Sequence, residues 1–364
     1  KNLKKILVLA NTYYQIIVAI QMKNTIFSDE YVEIIISDHS KNTKEIAKKI
    51  EEKKVFDGCH YLESKSFDDN IGYFQKIKDC LQISCGKSNR YAYYLKNCKS
   101  EYFDEFICFS MGEVWLEGIY ACLYRNNKNV QVSILEEGIL SYGVDIIPTA
   151  RTKAIAVLNY LKKRTPLYNK SYNFYCFFPN IYTGRENTIQ IPLVTAGSRT
   201  ALQLSDIFNP MIDIYKEKKY IFFTSVYDFE GGEPVGEYEL VCKIADLVGK
   251  DNLIVKTHPR DVRTIYKDNG FIEDKNSSIP WEAIQLSGDF NDKIFMTINS
   301  GSVISGSTMS AKPVRTYYMY KLCNIEGNPS CKKNAYDIER LLKQKTMKNI
   351  LKNVKIAESL DDIL

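Results

Sequence analysis

Short apolar runs alternating with helical stretches constrain this chain more than any other feature. Residues 4–9 and 31–36 are largely apolar stretches of strand length, and residues 14–22 between them suit one helix. Strand, helix and strand at this spacing form a βαβ unit, which implies a parallel sheet with right-handed crossovers. The alternation continues with a helix over 41–53, strands over 59–62 and 105–109, a helix over 116–125 and a strand over 130–135. The first domain therefore reads as doubly wound α/β.

Four prolines, Pro148, Pro166, Pro179 and Pro192, interrupt residues 139–204, which read as a connector with local structure. A second alternation follows, with strands over 219–224, 252–256 and 293–297 and helices over 237–248, 281–286 and 302–305. At about 150 residues per domain, 364 residues favour two. The expected division is residues 1–200, residues 215–335 and a basic amphipathic terminal helix over 336–364. That helix is suggested by six basic and no acidic residues from Arg340 to Lys355, with Leu341, Leu342, Met347, Ile350, Leu351 and Val354 near a helical repeat. Such a helix suits an anionic membrane surface or packs on the body.

Several function classes are excluded or disfavoured. No apolar run approaches the roughly 20 residues of a membrane span, no signal peptide is expected, and a cytoplasmic location follows as the expectation. The net charge of +5 is too weak to argue for nucleic acid. Ten scattered cysteines without a Cys-x-x-Cys pair read as buried thiols rather than a disulfide framework. Asp-x-Asp, His-Glu-x-x-His and Gly-x-Ser-x-Gly patterns are absent, so neither a metal site nor a serine-hydrolase elbow is expected.

With only three histidines, imidazole chemistry falls to His39, His60 or His258. Only His258 has suitable company, in Lys256-Thr-His-Pro-Arg260 just past a strand, where cations and a ring N–H suit an anionic leaving group. Glu136-Glu137-Gly138 ends another strand. Repulsion and partial burial raise at least one carboxyl toward the range of a general base, and Gly138 permits a sharp turn or close approach. Because side chains alternate along a strand, only one of the pair can face a ligand. Residues 299–308 interleave Ser300, Ser302, Ser307 and Thr308 with glycine before helical stretches, which suits an anion. Glu282, in Ile279-Pro-Trp-Glu282, either complements a helix start or accepts hydrogen bonds from a ribose diol.

In this order, the motifs resemble those of bacterial sialyltransferases of glycosyltransferase family 52, the lipooligosaccharide and capsule type. Asn11-Thr-Tyr-Tyr-Gln15 is similar to the family's first turn, with Tyr13 where proline is usual. Glu136-Glu137-Gly138, His258-Pro259, Glu282 and Ser307-Thr308 match the later motifs, so the resemblance spans most of the chain. It implies a glycosyltransferase-B type α/β fold, two facing Rossmann-like domains with a cleft between them. It also implies a metal-independent, inverting transfer from CMP-sialic acid to a terminal galactose of a lipooligosaccharide or capsule glycan, with no cofactor.

By the same resemblance Glu137, or Glu136 in its place, is the base, His258 serves the departing phosphate and Glu282 holds the ribose. Asn11, Gln15, Gly138, Lys256, Pro259, Arg260, Ser300, Ser302, Ser307 and Thr308 complete the expected substrate-binding set. The expected partners are CMP-sialic acid and a galactose-terminated acceptor, with peripheral membrane contact and a homodimer left open. Another nucleotide-sugar donor on the same fold, or a non-catalytic glycan-binding protein, are the alternatives.

Overall fold

The computed structural model describes residues 3–64, 72–85, 90–109, 114–142, 150–161, 167, 173–182, 184, 186–276, 279–310 and 312–364. Two compact units divide it, Lys1–Pro192 and Leu193–Leu364.

In the first unit seven parallel strands form one sheet: β1 (Lys5–Ala10), β2 (Tyr31–Ser37), β3 (Gly58–Leu62), β4 (Glu105–Cys108), β5 (Gln131–Leu135), β6 (Asn173–Cys176) and β7 (Asn187–Gln190). Their order, β3-β2-β1-β4-β5-β6-β7, reverses direction between β1 and β4. The helices are α1 (Tyr13–Asn24), α2 (Thr43–Glu52), α3 (Tyr73–Ser84), α4 (Val114–Asn126) and α5 (Ala150–Leu161), with a single turn over Ala92–Leu95. Residues 15–22 of α1 are all buried, so this helix has no solvent face and its apolar run is continuous rather than periodic. It starts with a capping box in which Thr12 Oγ1 accepts from the Gln15 N–H while Gln15 Oε1 accepts from the Thr12 N–H.

The second unit repeats the plan with β8 (Tyr220–Phe223), β9 (Leu253–Lys256), β10 (Ile272–Asp274), β11 (Ile294–Thr297), β12 (Arg315–Tyr318) and β13 (Val354–Ile356), all parallel, in the order β10-β9-β8-β11-β12-β13. Its main helices are α6 (Arg199–Phe208), α7 (Glu237–Val248), α8 (Trp281–Ser287), α9 (Ser302–Ser310) and α10 (Pro329–Lys343). Both sheets are doubly wound, and in such sheets ligands lie beyond the carboxyl ends of strands near the reversal point. In the second sheet that point falls between β8 and β11.

Several expectations need correction. The stretch expected as a connector contains β6, β7, α5 and α6, while Pro148 and Pro166 lie outside the described residues. Helix α6 belongs to the second unit, because its buried Leu204, Ile207 and Phe208 face packs beside α8. The expected terminal helix over 336–364 forms only as far as Lys343. α10 ends at Lys343, Met347 and Leu351 are buried in turns, and residues 354–356 add the edge strand β13 to β12. Leu341 is buried too, so the apolar residues of this basic stretch pack on the body.

Candidate active site

In the first unit, the end of β5 separates the two adjacent carboxylates. Glu136 is buried, and it accepts hydrogen bonds from Tyr14 Oη at 2.6 Å, from the Phe177 N–H at 2.9 Å and from Tyr142 Oη. Burial pushes its carboxyl above the usual carboxylate range, against the pull of these donors. Glu137, the next residue along, is exposed. Gly138 then turns the chain at φ +106°, and since a Cβ there would meet nothing within 4 Å, the backbone angle rather than space is what calls for glycine. Ser141 secures the turn, donating to the Gly138 carbonyl at 2.6 Å and accepting from the Glu137 N–H at 3.2 Å.

Tyr14 ties this strand end to the start of α1. There Gln15 Oε1 also accepts from the Asn11 N–H at 2.6 Å, and Asn11 Oδ1 accepts from Ser37 Oγ. Gln15 therefore spends its amide oxygen on shaping the turn after β1. Tyr13 Oη donates to the Lys41 carbonyl.

In the second unit three strand ends lie side by side, since Phe223 of β8 is in register with both Lys256 of β9 and Thr297 of β11. The residues just beyond them meet. The His258 N–H donates to Thr224 Oγ1 at 2.8 Å, and the Arg260 N–H donates to His258 Nδ1 at 3.1 Å. With Nδ1 accepting, the proton of the neutral ring sits on Nε2. Burial, helped by the Arg260 charge, holds the imidazole pKa below its ordinary value, so the ring is a neutral hydrogen-bond donor. Pro259 and Arg260 are exposed, and Arg260 pairs with Glu230 at 2.6 Å. Lys256 is directed elsewhere, to an ion pair with Asp274 at 3.1 Å and to the Asn276 carbonyl. The expected trio of Lys256, His258 and Arg260 is thus a histidine and an arginine beside a buried structural lysine.

Beyond β11, the Ser300 N–H donates to Thr297 Oγ1 and Ser300 Oγ accepts from the Ser302 N–H at the start of α9. Glu282, in the first turn of α8, reaches across and accepts from Ser305 Oγ of α9; burial raises its carboxyl. Trp281 anchors that turn, packing edge-on against Phe223, Phe295, Phe290 and Tyr215 at centroid distances of 4.6–5.5 Å. Its indole N–H donates to Gln285, whose amide donates to Ser307 Oγ at 3.1 Å. A Cβ at Gly306 would lie 2.1 Å from Gln285 Oε1, so glycine is what lets α8 and α9 approach. Thr308 is buried and donates to the Ser305 carbonyl. His258, Glu282, Ser300, Ser302 and Ser307 therefore gather at the carboxyl ends of the second sheet, while Glu136, Glu137, Gly138, Asn11 and Gln15 gather at those of the first.

Sequence reasoning missed Tyr14, Tyr142, Thr224, Gln285 and Ser305, which hold the expected residues in place. It also missed Glu237, a fully buried carboxyl at the start of α7 that accepts from the Ser225 N–H and whose pKa burial pushes up to about 8. Among the described residues, one group brings metal-ligating atoms within 4.8 Å of one another: Glu33, His60 and Cys98. Glu33 there already accepts from His60, Tyr31 Oη and the N–H groups of Lys99 and Ser100, which makes it a closed joint between β2, β3 and the loop that leads into β4.

The family model described as alpha-2,8-polysialyltransferase matches residues 6–318. No curated protein sequence matches the chain significantly. Among solved structures, the chain is similar to an alpha/beta-galactoside alpha-2,3-sialyltransferase from the luminous marine bacterium Photobacterium phosphoreum, with 14% identity, 100% of each chain covered and a TM-score of 0.50. It is similar also to S. aureus MnaA in a co-structure with UDP (14% identity, 96% of this chain and 91% of the other, TM-score 0.44) and to MurG of Acinetobacter baumannii (10%, 99% and 88%, 0.42). The fold is of glycosyltransferase-B type.

Proposed function

The chain belongs to the alpha-2,8-polysialyltransferase family and is a glycosyltransferase, and from that premise we propose that it transfers sialic acid from CMP-sialic acid to a hydroxyl of a surface glycan, with inversion at the anomeric carbon. The observation that carries the donor side is that the His258–Thr224 contact lies beyond β9 and β8, next to β11, whose end leads through Ser300 into α9 with its Ser305–Glu282 contact. A sialic acid donor brings a phosphate and a carboxylate, and this cluster offers an imidazole N–H, hydroxyls, a helix start and Arg260 to match them.

In this reading the bond from the anomeric carbon to phosphate oxygen breaks and CMP leaves with the electron pair. His258 Nε2–H donates to that oxygen as charge grows there. Ser300, Ser302, Ser307 and Thr308 line or brace the phosphate side, with Pro259 fixing the turn that aims the imidazole. Glu282 holds the ribose. The acceptor oxygen forms the new bond and gives its proton to Glu137, the exposed member of the pair, while Glu136 holds Tyr14 and Tyr142 beneath it. Asn11 and Gly138 shape the acceptor side, and Gln15 and Lys256 act by holding the turn and strand end on which the ligands sit. Phosphate charge is then met by side chains and helix ends, without a metal ion or other cofactor.

The acceptor proposed first is a terminal galactose of a lipooligosaccharide or capsule glycan, reached from the cytoplasmic face. The family description favours a second reading, in which the acceptor is an existing sialic acid and the product an alpha-2,8-linked polymer. Incubation with CMP-sialic acid and either lactose or a short sialic acid oligomer, with CMP release and product linkage measured, separates the two. Turnover that persists in chelator is expected. Absence of CMP release with both acceptors, together with turnover of a UDP- or GDP-sugar, would overturn the donor assignment.

A further inference from the structure

Two neighbouring helices of the first unit, α3 and α5, leave large apolar side chains in water. Phe74 is 86% exposed and Tyr160 81%, with Tyr73, Ile77 and Leu81 on α3 and Leu161 on α5 exposed beside them. Residues 74, 77, 78 and 81 repeat at helical spacing, as do 153, 157, 160 and 161, so each helix presents one continuous outer face. The two helices pack against each other and against α4. Scattered exposed apolar residues are ordinary, but a cluster of this kind marks an interaction surface.

The charge on these helices selects the occupant. On α3, Lys76 and Lys78 accompany the aromatic residues, whereas the helix's one acid, Asp79, is turned inward and paired with Arg90 at 2.8 Å. Helix α5 carries Arg151 and Lys153 and no acid. Aromatic and aliphatic side chains flanked by lysines, with no outward carboxylate, match an anionic lipid surface, where rings and chains enter the headgroup boundary and ammonium groups meet lipid phosphates. The basic stretch after Arg340 offers no such face, because Leu341, Met347 and Leu351 are buried.

We propose that the outer face formed by α3 and α5 docks on an anionic membrane surface. The proposal rests on this surface alone and does not depend on the donor or acceptor. Its test is co-sedimentation of the full chain with vesicles of phosphatidylcholine alone and of phosphatidylcholine mixed with phosphatidylglycerol. Binding to the mixed vesicles is expected to exceed binding to neutral ones by about tenfold or more, and to fall as salt is raised. Phe74→Ser with Tyr160→Ser, and separately Lys76→Glu, Lys78→Glu and Lys153→Glu together, are each expected to lower partitioning about tenfold. Their thermal unfolding should match the parent chain, because these positions are at the surface. Failure of the parent chain to sediment with mixed vesicles overturns the proposal, as does undiminished binding by both variants. A dimer in light scattering that Phe74→Ser with Tyr160→Ser dissociates, without lipid binding, would assign the face to a second copy instead.

Discussion

Alanine at Glu136 and alanine at Glu137 should produce opposite phenotypes although the two residues are adjacent. Removing the Glu136 carboxylate orphans the Tyr142 hydroxyl and the Phe177 N–H in a buried place, and it takes one acceptor from the half-buried Tyr14, which water can reach. An unsatisfied buried donor costs about 1–3 kcal/mol, so the two buried ones cost about 2–6 kcal/mol together. In a unit of this size each kcal/mol moves the midpoint by about 2–4 °C, and a fall of roughly 5–20 °C is expected for Glu136→Ala. Glu137→Ala removes an exposed side chain and should leave the midpoint within about 2 °C, since surface changes stay near 0.5 kcal/mol. Its turnover should drop by about 100- to 10,000-fold, the range for loss of a general base. Calorimetry and CMP release measured on the same preparations decide the matter. Full turnover in Glu137→Ala, paired with lost turnover and an unchanged midpoint in Glu136→Ala, would refute the division of labour and move the base to Glu136.

At His258, a neutral donor rather than a charged acid predicts that His258→Gln, which keeps an N–H at the tip, retains more kcat than His258→Ala; equal losses in steady-state assays would contradict it. Glu237 links stability to pH. Its folded carboxyl titrates at about 8 and an unfolded one near 4.5. The folded state therefore holds the extra proton between these values, and stability falls as pH rises through that window, by at most about 1.4 kcal/mol per unit. Urea midpoints should show this slope flattened in Glu237→Gln. Lys256→Ala should cost up to about 3–5 kcal/mol, because the buried Asp274 keeps its Tyr215 and Asn276 donors but loses its cation, with KM for the donor unchanged in any folded fraction; a raised KM with normal stability would place Lys256 on the substrate instead.

The central strands were legible because β1, β2, β5, β8, β9 and β11 are short apolar runs, and the residues beyond their carboxyl ends are where doubly wound sheets place ligands. The edge strand β3 was legible too, but the edge strands β7, β10 and β13 were not. β7 is largely exposed, β10 and β13 span three residues each, and Lys355 in β13 carries a charge that reads as helix surface. Contacts between distant segments were equally hidden. Tyr14 meets Glu136, and Glu282 meets Ser305, only after a sheet or helix pair has formed, so no local pattern in either segment announces its partner. The alternation of strand side chains nonetheless anticipates that Glu136 and Glu137 differ in burial, as they do.

The late position of β13 in the chain gives synthesis a particular order of events. The first sheet has all seven strands once Gln190 has emerged, whereas the second lacks its edge until Ile356 does. At about 5–20 residues per second, the 38 residues from Tyr318 to Ile356 leave an interval of roughly 2–8 s in which β12 has no neighbour on that side. An open strand edge invites pairing with another nascent chain. Residues 354–356 thus act as a closing seam, and a chain cut just before them would retain every candidate catalytic residue while exposing the backbone of Arg315–Tyr318.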